Sequence, residues 1–83
     1  MAILEIDYHA GDSDRAPMAH IQIDGMAYML LGGRGSVTVI AGRWINDRRS
    51  LGKTFWTPAA LAEHYKRHGS ILLEYANRLT HWN

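Results

Sequence analysis

Up to Phe55 the apolar residues of this chain recur mostly at every second position, and from Thr57-Pro58 onward they recur at every third or fourth. A period of two belongs to a strand with one wet face; a period near 3.6 belongs to a helix laid on a core. Both periods, in that order and within 83 residues, confine the chain to one compact α+β domain, strand-rich over 1–56 and helical over 57–82. The expected architecture is a mostly antiparallel sheet of four to five strands followed by two helices on one face.

The strand-rich part divides at its turns. Leu4, Ile6 and Tyr8 alternate with Glu5, Asp7 and His9, which predicts a strand with the first set on one face and the second in water. AGDSDRAP, residues 10–17, supplies turn chemistry and little to bury. Alternation resumes with Ile21 and Ile23 inward and His20 and Gln22 outward. Asp24-Gly25 is the dipeptide of a tight two-residue hairpin, because both positions tolerate positive φ. MAYMLL returns as a strand apolar on both faces and hence central, GGRGS turns the chain, and SVTVIAG forms a fourth strand rich in β-branched residues.

The helical part opens on Thr57, a cap for free amides, and Pro58, whose missing donor had no partner at a first helical position. Trp56 and Leu61 have the spacing of a hydrophobic staple. Lys66, Arg67 and His68 suit the carbonyl end of a first helix, and Gly69 suits the left-handed residue that closes one. Ser70 then caps a second helix, with Ile71, Leu72, Tyr75, Ala76 and Leu79 as its apolar stripe.

Composition narrows the chemistry. There is no cysteine, which excludes disulfide staples, thiolate catalysis and sulfur-ligated zinc. A domain this small buries only ~60–65% of its unfolded surface, so apolar burial, helped by self-association where it occurs, must hold the fold. MAILEIDYH lacks a basic leader followed by an apolar run, and no stretch reaches the length of a membrane helix. A cytoplasmic protein is the simplest expectation. Charge is segregated: Glu5, Asp7, Asp12, Asp14 and Asp24 stand against Arg15 in the first 24 residues, whereas Arg34, Arg43, Arg48, Arg49 and Lys53 stand against Asp47 over 25–56.

Candidate sites are few. Gly52-Lys53-Thr54 lacks both the earlier glycine of a P-loop and a helix starting at the lysine. Gly32-Gly33-Arg34-Gly35-Ser36 joins two strands, unlike a dinucleotide loop. His64 and His68 stand four apart, a spacing at which two imidazoles on one helix meet a metal, and they are the weak metal candidates. Ser13, Ser36, Ser50 and Ser70 already have turn or cap roles. No catalytic residue and no cofactor is expected.

That leaves GRWINDRRSLGKTFW, residues 42–56, where cations crowd two tryptophans and a phenylalanine. The stretch supports three readings: a solvated hairpin tip, a protein contact, and a nucleic-acid surface pairing cations with a flat ring. A sequence pI near 8.2 is low for a dedicated nucleic-acid binder. The leading expectation is therefore a non-enzymatic protein that occupies a macromolecular partner's surface through Arg34, Arg43, Trp44, Arg48, Arg49 and Lys53. A nucleic-acid-binding module built on residues 34–53 is the alternative, and a small hydrolase or metal-binding protein comes third. Besides a protein partner, a homodimer is compatible with the chain; a membrane is not. In size and style only, the chain resembles the accessory and inhibitor proteins of phages and other mobile elements, anti-CRISPR proteins among them. No motif places it in such a family.

Overall fold

The computed structural model describes residues 2–42 and 52–80. Five strands, β1 (Ile3–His9), β2 (Met18–Ile23), β3 (Met26–Gly32), β4 (Val37–Gly42) and β5 (Lys53–Phe55), precede two helices, α1 (Pro58–His64) and α2 (Gly69–Leu79). The strands form one antiparallel sheet in sequence order, so each pairs with its neighbour in the chain and no crossover is needed. The expected α+β architecture is the observed one. Among the described residues no helix is long and apolar enough to cross a membrane.

The turns explain the meander. Asp24 and Gly25 adopt φ of 50° and 83°, the double positive φ that matches a tight hairpin to strand twist. The loop before β2 is closed by Asp12, whose Oδ1 accepts from the backbone N–H of Asp14 and Arg15 at 2.8 Å each. These two bonds hold the Asp12 carboxyl below its ordinary pKa.

Register then decides what is buried. Ile21 stands opposite Tyr28, and Ala19 opposite Leu30, which in turn faces Val39; Val37 faces Phe55. These side chains meet Leu61 of α1 and Leu72, Ala76 and Leu79 of α2 in a single core. Both helices thus lie on one face of the sheet. Gly32 permits the close approach of α2: a Cβ there would meet the Leu79 carbonyl oxygen and Pro17 Cγ at 2.5 Å.

The first strand departs from simple alternation. Its register shifts between Glu5 and Asp7, leaving Ile6 as an extra residue. Ile3, Glu5 and Tyr8 therefore stand opposite Ile23, Ile21 and Ala19 on the helical side, while Leu4 and His9 share the other side with Gln22 and Met18. Leu4, Ile6 and Tyr8 do not form one buried face, because the bulge inverts the order after Glu5. Tyr8 packs on Tyr75 at 6.4 Å between ring centroids, and the Tyr75 hydroxyl donates to Glu5 Oε1 at 2.8 Å. Ile3, Leu4 and Ile6 remain half-exposed along this edge.

Expectations about the helices are corrected at Trp56, at the end of α1, at Gly69 and at Ser70, which lies inside α2 behind its His68 N-cap. Thr57 does cap α1, its Oγ1 accepting from the Ala60 N–H at 3.1 Å, and Pro58 is the first helical residue. Trp56, however, makes no staple with buried Leu61, for it is 75% exposed. The first helix also ends earlier than expected, at His64, and Gly69 is the first residue of α2 rather than a left-handed closing residue.

Candidate functional site

β5 and the turn into α1 place the described part of the aromatic-basic stretch. The strand has three residues, and period-two alternation sends Lys53 and Phe55 to the helical side with Thr54 on the other. Phe55 is buried against the rings of Tyr65 and His64, at 5.8 and 5.4 Å between centroids. Lys53 lies exposed at the sheet edge and lays its ammonium 5.7 Å from the Phe55 ring centroid. Trp56 comes next, just after the chain leaves the strand, and projects into water. On the α1 side of β5, Phe55, Ala60, Glu63, His64 and Lys66 line an open hollow of about 440 Å3.

Arg34 occupies the β3–β4 turn and is exposed. Residue 43 follows Gly42 at the opposite end of β4, and a strand of six residues spans roughly 17–20 Å. Lys53 pairs with Val39, between those ends. Arg43, Trp44, Arg48 and Arg49 lie outside the described residues. Of the expected surface, the structure thus sets Lys53 at the sheet edge over the buried Phe55 ring and Arg34 a strand-length from Gly42.

The histidine pair is divided between two elements. His64 ends α1, exposed, with its ring edge-on to Tyr65 at 4.7 Å. His68 precedes α2 and is only 2% exposed. Its Nδ1 lies 2.7 Å from the Tyr28 hydroxyl and its Nε2 lies 3.6 Å from Asp24 Oδ2. Among the described residues no group of three His, Cys, Asp or Glu side chains could hold a metal ion.

This His68 cluster ties the β2–β3 hairpin to the α1–α2 corner. Asp24 Oδ1 also accepts from the Ala2 backbone N–H at 2.9 Å, and that bond, aided by the neighbouring imidazole, holds the carboxyl below its ordinary pKa. Burial pushes the Tyr28 and Tyr65 phenols up, so both stay protonated. Met26, Tyr28, Tyr65 and the Lys66-Arg67 pair border a recess of about 240 Å3 above this cluster.

Trp56 is the residue that the sequence reading paired with Leu61 as a staple and the structure places in water. The signal was present: once Phe55 takes the inward position at the end of a strand, the next side chain turns outward. No protein-family model, no curated protein and no solved structure matches this chain.

Proposed function

We propose that the chain is a non-enzymatic binding protein that acts by covering the surface of a cytoplasmic protein partner, in the manner of a phage or mobile-element accessory or inhibitor protein. The observation that carries this reading is Trp56, 75% exposed at the end of the basic stretch and three residues after Lys53 in the chain. A large rigid ring in water, within a cation-rich segment of the chain, has the composition of an interface anchor: Trp and Arg are among the most enriched hot-spot residues, and rim charges set approach and register. The contact surface proposed here joins Trp56 to Arg43, Trp44, Arg48, Arg49 and Lys53, with Arg34 at its margin.

The test is capture from native lysate by wild-type protein and by Trp56→Ala, each with and without nuclease treatment. Partner retained by wild type after nuclease treatment, and bound at least ~30-fold more weakly by Trp56→Ala, is the expected result. The same substitution should leave the melting temperature within about 4 °C of wild type, as for other exposed positions. Capture that disappears with nuclease would favour the nucleic-acid reading instead. A large loss of stability in Trp56→Ala would assign the ring to the fold.

A further inference from the structure

The face of the sheet turned away from the helices carries a distinctive set of side chains. Register places Met18, His20, Gln22, Met29, Leu31 and Ile40 there, with Thr38 and Thr54 joined by a 2.9 Å hydrogen bond between their hydroxyls. Leu31 is 38% exposed and Leu4 of β1 is 57% exposed on the same side. From β2 to β5 no Lys, Arg, Asp or Glu projects from this face; Asp7, on β1, is at its margin. None of the described elements packs against it, since both helices contribute to the core on the other side.

We propose that this face is where a second copy of the chain docks, giving a two-fold dimer with the sheets packed face to face. Charge selects the occupant. In an isologous contact every side chain meets the same patch on its partner, so a charged patch repels itself while a neutral one does not. The charged residues of the described chain stand almost entirely on other surfaces. A nucleic acid is poorly matched, because these outward positions from β2 to β5 hold neither a cation nor a Phe, Tyr or Trp ring. Size agrees as well. Four strands of six or seven residues and one of three, spaced about 4.8 Å apart and rising about 3.3 Å per residue, give a face of roughly 450 Å2. Two copies laid together cover roughly 900 Å2 in projection, close to the ~1,000 Å2 at which an interface becomes specific. A small cysteine-free domain gains in burial what its own core cannot supply. Two copies of the Trp56 surface would then be presented together, raising avidity for a repeated partner.

The test is the solution mass of the full chain across ~5 to ~200 µM by sedimentation equilibrium, with far-UV circular dichroism as the control for folding. The expected mass is near twice 9.4 kDa at high concentration and falls towards 9.4 kDa on dilution. Leu31→Lys and Thr38→Lys, which put a cation on the self-facing patch, should each weaken dimerisation at least about tenfold while keeping the wild-type dichroism. Lys66→Glu, on the helical corner, should not. A 9.4 kDa species throughout overturns the proposal. So does a dimer that survives both sheet-face substitutions, or one lost equally in Lys66→Glu. If Leu31→Lys fails to fold, Thr38→Lys decides, because its site is already polar.

Discussion

Gly69→Ala is expected to lower the melting temperature by roughly 10–20 °C, although alanine is the better helix former by about 1 kcal/mol. Gly69 begins α2, is buried, and rests directly on α1. A Cβ at this position would collide with the carbonyl oxygen of Ala62 and lie 3.1 Å from its carbonyl carbon. The obstacle is backbone inside a helix, so no side-chain rotation relieves it. Either α2 shifts away or the α1–α2 turn deforms, and both open the core around Leu61 and Leu72. Overpacking of this kind typically costs about 1–3 kcal/mol net, occasionally more, and each kcal/mol is worth about 4–8 °C in a domain of this size. A thermal melt followed by circular dichroism measures it. An unchanged or higher melting temperature would mean that the helices do not cross at Gly69.

That glycine also marks where the sequence stopped being legible. Its left-handed reading came from a local pattern, cations followed by Gly, that normally ends a helix. In the structure α1 ends at His64 for a reason made by tertiary packing. Tyr65 leaves the helix with φ −100° and ψ 63° and sets its ring against Phe55 and Tyr28. His68 then turns inward to Tyr28. Partners 10 and 37 residues away from Tyr65 decide the boundary, and no window of local sequence contains both. The sheet was legible for the opposite reason. Asp24-Gly25 and the GGRGS turn fix the order of β2, β3 and β4 locally, and alternation then assigns Ile21, Ile23 and Val39 to the core. In β1 the same rule failed, because the bulge at Ile6 leaves no signature in the alternation and puts Glu5 and Tyr8 on one side and Leu4 on the other. The exposed Trp56 was legible in principle, yet staple spacing and strand alternation gave opposite answers, and the short strand prevailed.

The tie between Tyr28 and His68 should emerge as a coupling, not merely as two separate losses. Both side chains are about 2% exposed, and their polar atoms meet at 2.7 Å across the gap between the sheet and the helical corner. In Tyr28→Phe the ring keeps its edge-on contacts with Tyr65 and His68 but leaves the buried imidazole Nδ1 without its partner. That should cost about 1–3 kcal/mol. His68→Ala leaves the phenol only its weak sulfur acceptor, Met26 Sδ at 3.0 Å, and also leaves a cavity at the start of α2, so its expected cost is higher, about 2–4 kcal/mol. With both partners gone, no polar atom of the pair is orphaned. The double variant should therefore be more stable than the sum of the single losses predicts, by on the order of 1 kcal/mol or more. Urea unfolding of the four proteins closes the cycle, with equal m-values as the check that only the native state has changed. Strict additivity would mean that the two groups merely sit near each other. The β2–β3 hairpin would then owe its attachment to apolar packing alone, and the Asp24 carboxylate, 3.6 Å from Nε2, would be a bystander.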